Sequence, residues 1–374
     1  MPAVAYRIFF DNKPATREQL DRVEEITVEQ EVDMAWEAHL HIPLTVDEKG
    51  RWTGVDEPFI DDFNRVRIEI KVGDKDFMPL IDGPVVGDEK QMYAEPGQSL
   101  LKIHVQDDSV YLNREESIVS FENRLDHEIA QEIFKKFEQI ARTEIEKTPS
   151  PTGKLPSTVM QRGTAIQLLR SLARRQGMHA YVLPGVEPGQ SVGCFKPFPT
   201  QTDGLPPLIL LGSDRNMEMF TPGNDAQRPA RVRAYAVSIT DKTITERTSE
   251  FDNLDLLGQA QAFQQQSNTA IQILCPQYGD AVDLDQAVAA EALHSSYAFE
   301  ATGSVLGDLY PGVLAPYRVV TVSGVNPRLS GDYLISHVTH TLTRSYYAQS
   351  FTLRRNARSQ GTDDSLATLM RLIF

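Results

Sequence analysis

The stretch YRVVTVSGVNPRLSGDYLISHVTHTLTRSYYAQSFTLRRN, residues 317–356, reads as three strands in succession. Gly324-Val325-Asn326-Pro327 and Ser330-Gly331-Asp332 supply turns, and a polar connection from Thr343 to Ser345 precedes the third strand. In that strand Phe351, Leu353 and Arg355 alternate with Ser350, Thr352 and Arg354, the two-residue period of a sheet with unlike faces. Three strands cannot bury an apolar face alone, so the rest of the chain must provide the missing ones.

The same grammar recurs in the N-terminal third. Val66–Val72 alternates and stops at Gly73, as Tyr317–Ser323 stops at Gly324. Phe77–Val86, interrupted at Gly83-Pro84 as an edge or bulge would be, answers to Tyr333–His340. Leu100–Asp107, after a polar loop, answers to Ser350–Arg355. Identities are few; strand, glycine turn, strand, polar loop, strand is what repeats, over about 40 residues. The expectation is two copies of a related β-barrel, one in each half of the chain. Leu208–Leu211 and Arg231–Thr240 are read as strands completing the second. Tyr6–Phe10, Ile26–Gln30 and Ala38–Leu44 are read as strands near the first copy, with a short polar segment, helical or loop, from Thr16 to Val23.

Helical material separates the copies. Phe121, Leu125, Ile129, Ile133, Phe134, Phe137 and Ile140 recur at three- and four-residue spacing, which predicts an amphipathic helix to about Arg142, capped by Asn123 or Asp126. A proline-rich linker, Thr148–Pro156, follows. Thr164 then caps a helix over Ala165–Gln176, stopped by Gly177, and His179–Leu183 reads as a strand. Pro184–Pro207 should be irregular, Gln259–Gln266 helical or loose, and Leu284–Ser296 an alanine-rich helix.

With 374 residues and 41% hydrophobic side chains the chain can build two or three packed domains. No apolar run reaches the roughly 20 residues that span a bilayer. The opening MPAVAYRIFFDNKPATREQ lacks the layout of a signal peptide, so folding in the cytoplasm is expected. Cys194 and Cys275 are too few and too far apart for a disulfide framework or a zinc site. A net charge of −15 disfavours a duplex-wrapping protein. It is met most simply by an acidic solvated surface, and it also suits a channel through which polyanions slide.

Motifs for chemistry are sparse. Gly189-Gln190-Ser191-Val192-Gly193 matches the G-x-S-x-G of a serine hydrolase, with Asp and His residues following it. That elbow needs a strand before the serine and a helix directly after it. Pro184 and Pro188 precede the motif here, and Pro197 and Pro199 follow, where a helix cannot run. His337 and His340 fall on opposite faces of a strand, while His39 and His41 share a face but have no cysteine or carboxylate cluster to complete a metal site. Asp61-Asp62, Asp107-Asp108 and Asp363-Asp364 read as turn or surface charge. No phosphate-binding glycine loop occurs. Catalytic, cofactor and metal residues are therefore expected to be absent, with a hydrolase using Ser191 as the enzymatic alternative and a glycan-binding β module as a third.

Gly331–His340 with Tyr347 and Ser350–Arg355 resembles the closing pattern of the baseplate hub proteins of contractile tails. These are the phage late control D family and the hub portion of type VI secretion spike proteins. Pro311-Gly312 and Pro316–Val320 resemble that family's lead-in, and Gln161–Thr164, Leu168-Leu169 and Leu172–Met178 its central helix and strand. The likeness covers most of the chain through diffuse motifs.

The resemblance implies a β-rich α+β fold with two tail-tube-like β-barrel domains and inserted helical or mixed domains. Laid on this sequence it gives a first barrel in 1–115, a mixed domain in 116–205, a second barrel in 206–250 and 306–357, a helical insertion in 251–305 and a docking tail in 358–374. It further implies a non-enzymatic homotrimer whose six barrels match a hexameric inner tube or tube initiator and carry a trimeric spike, among other baseplate proteins of the wedge and sheath side. Such a hub lines a channel for DNA or protein cargo, binds no nucleic acid sequence-specifically, inserts in no membrane, and belongs to a virion tail or phage-tail-like particle. Type VI spike proteins continue into a valine- and glycine-rich β-helix and some phage spikes carry a lysozyme; with neither present up to Phe374, a separate spike polypeptide is expected. The apolar residues Leu366, Leu369, Met370, Leu372, Ile373 and Phe374 are the expected contact with the spike or a neighbouring subunit.

Overall fold

The computed structural model describes residues 4–359, apart from 56–58, 60, 96, 150–157, 229–230, 238–241, 250–254, 262–269, 275–283, 308 and parts of a few side chains at their margins. Its centre is a 13-stranded sheet to which both halves of the chain contribute.

In the first half, five strands follow one another: Glu25–Glu31, Glu37–Pro43, Arg65–Val72, Met78–Gln91 and Leu100–Gln106. Numbered in that order, they lie in the sheet as 1-2-5-4-3, all antiparallel. In the second half the strands are Met219–Asn224, Phe299–Leu306, Val319–Ser323, Gly331–Thr343 and Tyr347–Arg355. They too are antiparallel and lie as 1-2-5-4-3. The repeat seen as three strands in the sequence is thus a repeat of five.

The long fourth strand serves both of its neighbours by bending. Met78–Pro84 pairs with Arg65–Ile70, and Val85–Gln91 pairs with Leu100–Val105. Gly331–Leu334 pairs with Val319–Val322, and Leu334–Leu342 pairs with Tyr347–Arg354. Register shifts at Ile68/Glu69 and Val85/Gly87 in the first unit, and at Ile335/His337 in the second, mark the bends. Gly83-Pro84 is accordingly a bend and not an edge. Gly83 also lies against backbone: a Cβ there would sit 1.9 Å from the Gln106 carbonyl oxygen.

The units are joined through the part of the second unit's fourth strand that Val319–Ser323 leaves uncovered, His337–Thr343 pairing with Glu25–Glu31. Val4–Phe10 extends the sheet beyond Arg65–Val72, and Leu208-Ile209 runs parallel to Val322-Ser323. Each unit buries its alternating face. Val28, Leu40, Ile68, Ile103 and Val105 lie in one core, and Val305, Val320, Ile335, Phe351 and Leu353 in another. The inward side of the last strand is that of Phe351, Leu353 and Arg355. The Arg355 guanidinium is satisfied by the carbonyls of Leu257 and Ser330 and the Ser359 hydroxyl.

Arg231–Thr240 does not complete the second unit. Arg231–Val237 instead joins Ile244–Ser249 and Ile271–Leu274 in a separate three-stranded sheet, against which helix Leu284–Ser296 packs through Val288 and Ala292. This material lies between the paired strands Met219–Asn224 and Phe299–Leu306, so the insertion is mixed α/β and begins earlier than its helical content suggests. Its helix is pinned to the central domain, residues 116–205, by the Arg174–Glu291 ion pair. Of Gln259–Gln266, Ala260-Gln261 is a strand pairing Ala357-Arg358; 262–266 lie outside the described residues.

The central domain corrects two further expectations. The helix runs only over Asp126–Phe134, its first free N–H groups met in part by Glu128, which accepts from the Leu125 N–H. Phe121 belongs to strand Glu116–Glu122 and Ile140 to strand Ile140–Ile145, with Asn123 at φ 52° turning the chain between strand and helix. Phe121, Ile129, Ile133, Phe134 and Ile140 nonetheless share one core, with Phe137 packed against it, because a strand, a helix and a strand in turn present them to it. Pro184–Pro207 is not wholly irregular: Ser191–Lys196 is a strand paired with His179–Pro184 and Ile140–Ile145. Helix Ala165–Arg175 is as expected, with the Thr164 hydroxyl accepting from the Gln167 N–H and Gly177 left-handed at φ 69°.

Candidate functional site

The G-x-S-x-G sequence lies where the central domain meets the first unit. Strand, not helix, follows the serine, so Ser191 is 1% exposed instead of standing at an elbow. Its hydroxyl donates to Asp108 Oδ2 at 2.7 Å, and Asp108 is gripped by both terminal nitrogens of Arg65 at 3.0 and 2.6 Å. Among the described residues no imidazole stands within hydrogen-bond distance of Ser191 to take its proton. The glycines have packing reasons. Gly189, at φ 83°, gives its N–H to Asp82, and a Cβ on Gly193 would meet the Phe134 ring at 2.7 Å.

Asp107-Asp108 is not surface charge; both side chains are buried. Asp107 accepts from the N–H groups of Trp36 and Ser109 at 2.7 and 2.8 Å. Burial pushes its carboxyl up to about 6, against the pull of those donors. Asp108 belongs to an ionic cluster in which the largely buried Arg65 and Arg67 and the half-exposed Arg7 face the buried carboxylates of Glu69, Asp82 and Asp108. Arg67 is 1% exposed and also donates to the carbonyls of Gly185 and Val186. The cluster therefore locks the loop before Ser191 onto the first unit. Three cations against three carboxylates make it electrically closed, the pattern of a structural joint.

A second buried chain crosses the seam between the units. Tyr347 Oη lies 2.8 Å from His340 Nδ1, His340 Nε2 lies 3.2 Å from Gln30 Oε1, and Gln30 Nε2 donates to the Leu80 carbonyl at 2.7 Å. The Gln30 amide must present its oxygen to His340, which places the imidazole proton on Nε2 and makes Tyr347 the donor to Nδ1. Burial, then the nearby His337, lowers His340 to about 3, so it is a neutral ring. As strand parity requires, His337 and His340 point to opposite sides.

On the outer face of the first unit, sheet pairing supplies what His39 lacked in the sequence. His39 is the direct cross-strand partner of His104, with ring centroids 4.8 Å apart, and Glu37 lies on the same face. Ligand atoms of Glu37, His39 and His104 all fall within 4.8 Å of one another. His104 and the pairing register were the missing information: both histidines occupy outward positions of alternating strands, but nothing local says that they are opposite. His41 looks elsewhere, with Nδ1 3.5 Å from Glu25 Oε1. Cys194 is a core side chain whose thiol burial pushes up to about 12, and Cys275 lies outside the described residues. Leu366, Leu369, Met370, Leu372, Ile373 and Phe374 also lie outside them. No helix among the described residues is long and apolar enough to cross a membrane.

Set against known proteins, the chain matches no family model and no curated sequence. Its fold does have solved relatives. The 43 kDa tail protein of prophage MuSo2 from Shewanella oneidensis superposes with a TM-score of 0.65 at 14% identity, over 95% of this chain and 99% of that one. A tail protein from Neisseria meningitidis MC58 gives 0.61 at 14% identity, over 95% and 97%. An E. coli component of the type VI secretion system, itself structurally similar to the T4 bacteriophage tail proteins gp27 and gp5, gives 0.50 at 10% identity, over 94% and 76%. The fold is thus one shared by phage tail proteins and type VI secretion components.

Proposed function

We propose that the chain is a structural, non-enzymatic hub of a contractile injection machine, in a phage tail or a particle derived from one. Three copies would each offer the five-strand unit twice, as tube-like barrel modules, so that six near-equivalent modules face a hexameric inner tube while the threefold axis takes a trimeric spike. The observation that carries this reading is the 1-2-5-4-3 strand order, built twice and fused into one sheet. The likeness of fold to tail and type VI proteins supports the same setting. On this reading the modules occupy 1–115 and, discontinuously, 206–224 with 299–357, and the mixed domains dress the outside. The acidic balance of −15 suits a lumen that must not retain a polyanion. The apolar stretch Leu366–Phe374 is proposed to dock on the spike or a neighbouring subunit.

Solution mass together with imaging of assembled particles down the axis tests the hub. Three chain masses and threefold density with six similar lobes are expected; a single copy on the axis, or a monomer in the particle, refutes it. Removing residues 366–374 should leave the hub folded and reduce co-purification with the spike, and undiminished co-purification removes the tail from the account. For the hydrolase reading, Ser191→Ala should leave any ester hydrolysis by the preparation unchanged; a loss of turnover specific to that variant would restore the enzyme.

A further inference from the structure

We propose that Glu37, His39 and His104 form a binding site for a divalent transition-metal cation of the zinc class. Two imidazoles and a carboxylate are a donor set that zinc-like ions take, with a fourth position left to water. Directly opposed residues on antiparallel strands hold their Cβ atoms about 5 Å apart, so two histidines at such a pair can reach one ion without moving the backbone. The donor atoms lie within 4.8 Å of one another, against roughly 3.4 Å around a tetrahedral ion with bonds of about 2.1 Å. Side-chain rotation spans that difference, since Glu37 and His104 are about one-third exposed.

Two further observations point to an ion. His39 Nδ1 and His104 Nε2 are buried atoms with no hydrogen-bond partner, an arrangement that costs free energy in an empty sheet face and that a cation would relieve. The carboxylate is also already oriented. Gln106 Nε2 donates to Glu37 Oε1 at 2.7 Å, which leaves Oε2 turned toward His104 Nε2 at 3.2 Å, too poorly aligned to count as its hydrogen bond. A neighbour that fixes one carboxylate oxygen while freeing the other acts as the outer support of a metal ligand. Across the adjoining strand Glu29 pairs with Glu37 and adds negative charge, while Lys102, opposite His41, opposes the ion. Among the described residues the second unit has no counterpart, its last strand placing Thr352 and Arg354 outward.

The test uses the full-length, untagged chain, stripped with chelator and titrated with Zn2+ by calorimetry and with Co2+ by its visible absorption. One ion per chain is expected. His104→Ala and His39→Ala should each abolish uptake, Gln106→Leu should weaken it about 10-fold, and His41→Ala, on the same face, should bind as wild type does. Circular dichroism establishes that each variant is folded; should an alanine variant not fold, His104→Gln replaces it, keeping a polar group but no imidazole. Absence of uptake by the wild-type chain, or equal uptake by folded variants lacking either imidazole, overturns the site. Neither result bears on the trimeric hub, which rests on different residues.

Discussion

Asp107 and Asp108 are adjacent in sequence and burial raises both carboxyls, but they face different partners. At Asp108 the paired Arg65 works against that rise, whereas Asp107 meets only neutral donors and is pushed up to about 6. A carboxyl raised in the fold favours the folded state most when protonated. Its contribution is therefore full below the ordinary value of 3.8 and is lost as pH rises through about 6. Asp107→Asn should remove that slope. Urea unfolding of the wild type between pH 4 and 7 should show a loss on the order of 2–3 kcal/mol that the variant lacks; an unchanged slope would place the titration elsewhere. For the cluster beside it, Arg67→Leu leaves Glu69 with Arg7 alone and Asp82 sharing Arg65 with Asp108, three carboxylates against two cations, and should cost about 3–5 kcal/mol in the same assay. The sequence showed the G-x-S-x-G letters and the prolines that spoil an elbow. It could not show that Ser191 donates to Asp108, because their contact is made only when the turn after Leu100–Gln106 meets strand Ser191–Lys196.

At the scale of elements, alternation was enough to locate most strands, and turn glycines located their ends. Where it failed, packing had overridden local pattern. The periodicity from Phe121 to Ile140 reports a shared buried side, and a strand–helix–strand path satisfies it as well as one helix would. Arg231–Val237 reads as a good strand and is one, but strand character carries no address, and Ile271–Leu274 claims its edge. The partner that the second unit required, Met219–Asn224, contains Pro222 and Gly223 and is mostly exposed, so propensity hides it. Gly83 was legible as an irregularity, though its reason is a backbone contact and not an edge. Gly83→Ala should push the bent strand off Gln106 and cost about 3 kcal/mol, near the top of the range for overpacking. A variant as stable as wild type in chemical denaturation would show that the bend yields freely.

For the molecule as a whole, the sequence suggested two copies but not that they share a sheet, since a seam between residues 25–31 and 337–343 leaves no local trace. The shared sheet has a mechanical consequence, for neither unit can lose its edge without exposing the other's. His340 offers the means to test it. Its chain from Tyr347 through Gln30 to the Leu80 carbonyl ties the second unit to the first. His340→Leu leaves the Tyr347 hydroxyl and the Gln30 oxygen buried without partners, a loss of about 2–4 kcal/mol at neutral pH. Because His340 is depressed to about 3, its neutral form contributes stability that is present above the ordinary 6.5 and lost as pH falls through about 3. The variant should therefore also lose part of the wild type's acid sensitivity in that window, opposite in sign to the effect of Asp107. Both tryptophans, Trp36 and Trp52, lie in the first unit, so their fluorescence follows that unit while far-ultraviolet dichroism follows all of the chain. If the sheet unfolds as one cooperative body, a substitution made in the second unit must move both transitions together and by the same denaturant concentration. A tryptophan transition left in place while the dichroism splits in two would mean that the seam holds the units side by side without coupling them.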